Sequence, residues 1–275
     1  MQLTPLAPLC GAETHDFQMR ELEGDSLERL KQAVYQHGVV VLRGQELSQQ
    51  DHLDFARRWG GIDVNQYFPL EQEFPEIAVV RKKPDQETNI GGAWHTDHSY
   101  DQIPAMGSIL VARVLPPKGG DTLYAHMGAA YDALPQDLKD EIAGLEAFHT
   151  ADHVYKADGL YAQTDMGKDL RGQDQKTGAT HPIVIRHPVT GRKLLYVNSA
   201  FTINIVGRSR EESLQLLGRL YEHASNPDFQ CRVVWEPGSV AIWDNRVTWH
   251  NAVNDYHGHA REMHRITLSG QALAA

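Results

Sequence analysis

Val240-Ala241-Ile242-Trp243-Asp244-Asn245-Arg246-Val247-Thr248-Trp249-His250 reads as a strand, a polar turn and a second short segment ending on a histidine. It lies in a region, 229–270, that looks wholly β. Phe229–Trp235 is a further strand, Glu236-Pro237-Gly238 a turn, and Met263–Leu268 the last strand. Upstream, Pro182–Arg186 and Lys193–Val197 pattern as a hairpin around Thr190-Gly191. Met106–Val114, Ile77–Arg81 and the apolar run Val39–Leu42 read as strands.

Helical signals fall at the N-terminus and between the strands. Ser26 is predicted to cap a helix through about Gln36, with Leu27, Leu30, Ala33 and Val34 on one face and Gly38 ending it. Ser48 caps a second through about Trp59, stopped by Gly60-Gly61. Residues 126–145 look helical, with Pro135 at an N1-like position. Ser209 opens a Leu-rich helix through about His223. Residues 150–180 are polar and without period, which predicts a lid or substrate loop. The pattern as a whole predicts one domain, 1–275, with a β-barrel or double-sheet core decorated by helices.

A net charge of −10 argues against a nucleic-acid partner, because phosphate contacts need a basic surface. No apolar run approaches the roughly 20 residues that span a bilayer. Met1–Asp16 shows no signal-peptide pattern, so a reducing cytoplasm is expected. Two distant cysteines, Cys10 and Cys231, make no disulfide framework or Cys-rich zinc site, which leaves histidine and carboxylate as candidate metal ligands among fifteen histidines.

The pattern His-x-Asp occurs twice. In the helical segment 48–59, His52 and Asp54 stand about 200° apart around the axis and cannot share one ion. In Ala93-Trp94-His95-Thr96-Asp97-His98-Ser99-Tyr100 the aromatic and β-branched residues favour a strand, which would put His95 and Asp97 on one face. A later histidine could complete a set of two imidazoles and one carboxylate with one side of a metal left open, as non-haem Fe(II) oxygenases require. His250 competes for that role with His257, His259 and His264, and spacing does not choose among them. Arg261 and Arg265 share one face of the last strand. They fit either an exposed edge or an interior that offers each an anion.

Taken together, Trp94-His95-Thr96-Asp97, Pro116-Pro117-Lys118-Gly119-Gly120-Asp121-Thr122, Trp243-Asp244-Asn245-Arg246 before His250, and Arg261 with Arg265 resemble the taurine dioxygenase / chlorophenoxyacetate dioxygenase family, over roughly residues 20–270. The resemblance implies a mainly β fold with flanking helices, a double-stranded β-helix (jelly roll) with a cupin-like core. It implies Fe(II) on His95, Asp97 and His250, and 2-oxoglutarate and O2 as cosubstrates. It further implies that Arg261, assisted by Thr122, pairs with the distal carboxylate of 2-oxoglutarate. Arg265 matches a position that binds the anionic head of the substrate, and the Trp243-Asp244-Asn245 stretch is expected beside His250.

The implied reaction yields succinate and CO2 and hydroxylates a small organic anion of sulfonate, alkyl sulfate or aryloxyalkanoate type. A product hydroxylated on a carbon bearing sulfonate, sulfate or aryl ether falls apart. Where taurine enzymes carry a sulfonate-binding histidine this chain has Asn65, which cannot carry charge; that argues against taurine itself. His98, beside the ligand pair, is a second candidate substrate contact. Relatives are often dimers or tetramers, so a homo-oligomer is expected. Two other readings stand beside this one: an inactive jelly-roll binding protein, and a zinc hydrolase.

Overall fold

The structure is a computed structural model and describes residues 2–275. Along the chain run β1 (Thr4–Pro5), β2 (Ala12–Thr14), α1 (Gly24–His37), β3 (Val39–Leu42), α2 (Gln49–Trp59), β4 (Ile62–Asp63), β5 (Ala78–Lys82), β6 (Gly107–Val114) and β7 (Thr122–His126). Next come α3 (Met127–Ala133), α4 (Gln136–Ile142), β8 (Glu146–His149), α5 (Asp152–Tyr155), β9 (Ala179–Pro182), β10 (Val184–Arg186), β11 (Lys193–Leu195) and β12 (Thr202–Ile205). The chain finishes with α6 (Arg210–Ala224), β13 (Gln230–Val233), β14 (Val240–Asp244), β15 (Thr248–Ala252) and β16 (Arg261–Leu268).

An eight-stranded sheet has the order β1-β2-β3-β14-β6-β16-β4, with β5 also paired to β16. A three-stranded sheet, β13-β7-β15, packs against it. Val39, Val41, Ala241 and Met263 of the large sheet share one buried cluster with Tyr124, Cys231 and Val233 of the small one. Alternation along β3 explains its unbroken apolar sequence. Val39 and Val41 point between the sheets, while Val40 and Leu42 point outward against Leu30 and Val34 of α1 and Phe55 of α2. The small sheet is backed by α3, α4 and α6 through Ala125, Trp249, Ile142, Leu216 and Leu220. The hairpin β10–β11 and the sheet β12-β8-β9 complete a jelly-roll core with flanking helices.

Three local expectations need correction. Helix α1 begins at Gly24, with Glu23 as N-cap and Ser26 inside the first turn, where its Oγ accepts from the Glu23 N–H at 3.2 Å. The serine still caps, but reciprocally, from the third helical position. Segment 126–145 is two helices broken at Leu134-Pro135, and Pro135 is the N-cap of α4. The cause is the residue before proline, which its ring pushes out of the helical region; Leu134 has ψ 141°. Finally, His95-Thr96-Asp97 is not a strand. His95 makes a single bridge to His250, and Asp97 already belongs to a turn.

Candidate active site

That bridge assembles the site. His95 N–H donates to His250 O at 3.1 Å and His250 N–H to His95 O at 2.8 Å, so the two imidazoles, far apart in sequence, start from adjacent backbone. The Thr96 hydroxyl donates to the carbonyl of Asn245 and pins the residue between His95 and Asp97 to the turn after β14. The chain then reverses. His98 adopts φ +60°, and Asp101 N–H donates to its carbonyl at 3.0 Å. A turn thus converges the two side chains that strand alternation had been expected to align.

The three side chains meet in a cavity of about 510 Å³, counting its open mouth. Asp97 Oδ1 is 3.6 Å from His95 Nε2, and Asp97 Oδ2 is 3.5 Å from His250 Nε2. All three residues are buried. His95 Nδ1 is 2.7 Å from the carbonyl of Ala93, which can only accept; that fixes the proton on Nδ1 and turns the lone pair of Nε2 toward Asp97. Burial holds the His250 imidazole well below its ordinary pKa, and the adjacent His95 adds to the effect. Neutral imidazole is the form that ligates metal. Burial works against the charge on Asp97, but the surrounding charges, the Arg265 guanidinium foremost, outweigh it, so the carboxyl lies well below its usual range. Two imidazoles and one ionised carboxylate, buried and gathered within reach of a single ion, fit a divalent iron.

Trp243 at 5.0 Å and Tyr124 at 5.9 Å pack on the His250 ring, as expected for the stretch leading to it. Asn245 is fully occupied in holding that stretch: its Oδ1 accepts from Trp243 Nε1, and its Nδ2 donates to Ala105 O.

Both arginines of β16 are buried and line the same cavity. Arg265 Nη2 lies 3.0 Å from Asp97 Oδ2, and its Nε donates to Ser108 Oγ at 3.0 Å. Arg261 is different. Its Nη2 is 3.5 Å from Thr122 Oγ1, its Nε has no partner among the described residues, and it lies over the Trp235 ring at 5.7 Å. Thr122 Oγ1 accepts from Trp235 Nε1 at 3.0 Å, which leaves the hydroxyl proton free for an incoming anion. Gly120 keeps the approach open: a Cβ there would stand 3.1 Å from Arg261 Cδ, and its φ of +73° suits glycine.

Asn65 and His98 do not line this cavity. Asn65 Oδ1 accepts from the backbone N–H groups of Tyr67 and Phe68, both at 2.9 Å, and so holds the turn that presents Phe68 to the cavity. His98 Nδ1 sits 2.8 Å from Asp101, and its Nε2 is buried without a partner among the described residues. The walls include residues that sequence reasoning passed over: Phe68, Val80, Ile90, Leu110 and Tyr124. For Val80, Leu110 and Tyr124 the signal was inward alternation on strands whose register was not yet known; Phe68 and Ile90 lie in turns and carried no such signal. From the 150–180 segment, Tyr155 reaches the cavity and stacks on Tyr67 at 4.3 Å, and Tyr161 OH accepts from Gly91 N–H at 2.9 Å.

A jelly roll that holds two imidazoles and a carboxylate beside a buried, unpaired guanidinium defines a non-haem iron oxygenase with a dicarboxylate cosubstrate. The chain belongs to the taurine catabolism dioxygenase TauD, TfdA family, whose profile matches residues 2–267. It is 33% identical over 287 residues to an alpha-ketoglutarate-dependent 2,4-dichlorophenoxyacetate dioxygenase of Cupriavidus pinatubonensis, covering 98% of each chain. It is 31% identical over 277 residues to an alpha-ketoglutarate-dependent sulfate ester dioxygenase of Pseudomonas putida, covering 98% of this chain and 90% of that one. A crystal structure of AAD-2 with Mn(II) and N-oxalylglycine superposes with a TM-score of 0.81 at 29% identity, covering all of both chains. The protein is therefore an Fe(II)- and 2-oxoglutarate-dependent dioxygenase, and the readings as inactive scaffold or zinc hydrolase fall away.

Proposed function

We propose that this enzyme hydroxylates a small organic anion of sulfonate, alkyl sulfate or aryloxyalkanoate type, with 2-oxoglutarate converted to succinate and CO2. The observation that carries this reading is the pair Arg261 and Arg265, two buried cations in one cavity with the His95–Asp97–His250 group. Among the described residues one has no ion-pair partner, and the other's carboxylate partner is Asp97 of the His95–Asp97–His250 group.

His95, Asp97 and His250 would hold the iron, which supplies O2 activation coupled to decarboxylation of the 2-oxo acid. Arg261 and the Thr122 hydroxyl bind the distal carboxylate of 2-oxoglutarate through a charged fork and a donated proton. Arg265 receives the anionic head of the substrate and so fixes which C–H bond faces the metal. Phe68, Leu110, Tyr124 and Trp243 keep water away. Asn65 shapes this wall through its turn, His98 braces the chain after Asp97, and the 150–180 segment closes over the substrate through Tyr155. Among the described residues lining the cavity the only Arg or Lys side chains are Arg261 and Arg265; with Arg261 given to 2-oxoglutarate, one remains for the substrate, which supports a monoanionic substrate with an apolar body.

The same proposal includes a single domain over 1–275, a cytoplasmic site of action, assembly as a dimer or tetramer, and no nucleic-acid or membrane partner. The net charge of −10 supports the choice of partner class. Among the described residues no helix is long and apolar enough to cross a membrane.

The test is a panel of sulfonates, alkyl sulfates and aryloxyalkanoates scored by succinate formation with Fe(II), 2-oxoglutarate and O2. The proposal expects at least one class to raise succinate output well above the substrate-free rate. Stimulation only by cationic or neutral compounds would contradict it.

A further inference from the structure

Lys82 is buried, 2% exposed, and its Nζ has no hydrogen-bond partner among the described residues. It stands directly opposite Arg261 in the β5–β16 pairing. Facing residues of an antiparallel pair lie on the same side of the sheet, with Cβ atoms about 5 Å apart. Val80, two residues earlier on β5, lines the cavity, and alternation puts Lys82 on the same face of the sheet, behind Arg261 rather than in the cavity wall itself.

No described carboxylate forms an ion pair with either cation. Asp121, beside Thr122, is taken by Arg232 at 2.8 Å, and Asp255, beside Tyr256, accepts from Gly120 N–H at 2.7 Å. Each cation rests on an aromatic ring instead, Lys82 over Tyr256 at 4.6 Å and Arg261 over Trp235 at 5.7 Å. Rings lessen the cost of burial but do not neutralise a charge. Two buried like charges carried on facing positions of one sheet destabilise a protein unless an anion joins them.

We propose that Lys82 is a second cationic determinant of cosubstrate binding. Arg261 and Lys82 together present a doubled positive charge to the distal carboxylate of 2-oxoglutarate, and Lys82 thereby sharpens selection of a 2-oxo diacid over a 2-oxo monoacid. The inference rests on the placement of that carboxylate at Arg261 and Thr122.

The experiment is calorimetric titration of the Mn(II)-loaded protein, without oxygen, with 2-oxoglutarate and with 2-oxobutyrate, which lacks the distal carboxylate. Lys82→Met should weaken 2-oxoglutarate binding about tenfold, one charge-assisted contact's worth, and leave 2-oxobutyrate unchanged. Lys82→Arg should restore binding, and Lys82→Gln repeats the neutral test should methionine not fold. Unchanged 2-oxoglutarate affinity in the neutral variants, or an equal loss for both acids, overturns the role of Lys82. Arg261→Met separates the two ideas. If it loses 2-oxoglutarate while Lys82→Met does not, only the Lys82 role fails. If it retains 2-oxoglutarate, the placement of the carboxylate fails.

Discussion

Arg265 Nη2 lies 3.0 Å from Asp97 Oδ2, so the cation proposed for the substrate also touches the carboxylate proposed for the metal. One guanidinium keeps the ligand carboxylate ionised and offers the rest of its fork to an incoming anion.

Arg265→Ala should therefore raise the KM for the primary substrate about tenfold or more, with the Kd for 2-oxoglutarate little changed. Iron affinity should not fall, because removing a neighbouring positive charge does not disfavour a cation. Steady-state kinetics with calorimetry checks both parts, and unchanged substrate affinity would remove Arg265 from the substrate site.

The Thr96 hydroxyl ties the ligand segment to Asn245. Thr96→Val keeps the shape and deletes the donor. Loss of a group that orients metal ligands costs about 10–100-fold in metal affinity. Thr96→Val should show a loss of that order in competition with a metal chelator, with Thr96→Ser close to the parent. A parent-like metal affinity in the valine variant would mean that the His95–His250 bridge alone fixes the geometry.

Thr122→Val should raise the KM for 2-oxoglutarate about fivefold, the worth of a neutral hydrogen bond of ~1 kcal/mol. Thr122→Ser should restore it, since the serine hydroxyl can still accept from Trp235 and donate. An identical effect on the KM for the primary substrate would argue for general disturbance of the cavity.

Acid should destabilise the fold through histidines buried neutral. His52 is fully buried on the inner side of α2, and neither ring nitrogen reaches a hydrogen-bond partner among the described residues. Burial first, and then the charges of Arg113 and His264, lower its pKa from 6.5 to about 3. Above about 6.5 both folded and unfolded chains hold it neutral. As pH falls toward about 3, the unfolded chain takes up a proton that the folded chain refuses, and stability drops by about 1.4 kcal/mol per pH unit. Urea midpoints at pH 7 and pH 5 should show a smaller loss for His52→Leu than for the parent. An equal loss in both would clear His52 of the effect.

The legible parts of this molecule were those written in local pattern. Ser48 and Ser209 cap α2 and α6 as expected, and the hairpin pairs Val184 with Leu195 across Thr190-Gly191. His52-Leu53-Asp54 was separable from the ligands because a helix sends positions two apart to different sides; His52 is buried and Asp54 exposed. Arg261 and Arg265 were legible as sharing one face, which the unbroken β16–β5 register from Arg261 to Arg265 keeps although the β16–β6 pairing shifts at Glu262/Met263; that this face is the inward one was not legible.

What resisted reading depended on pairing between distant segments. His95 and His250 are joined by one isolated bridge that no spacing encodes. Asp97 reaches the site through a turn with His98 at positive φ, which aromatic and β-branched neighbours disguised as a strand. Lys82 had no distinguishing pattern until its register put it opposite Arg261.

The central claim is that His95, Asp97 and His250 bind one iron in a cavity that also takes 2-oxoglutarate. The most direct measurement is the visible spectrum of the oxygen-free protein on addition of Fe(II) and 2-oxoglutarate, for the parent and for His95→Ala and Asp97→Ala. A weak charge-transfer band in the parent, missing in both variants together with turnover, is the predicted result. No band in the parent, or full activity in either variant, would contradict the account.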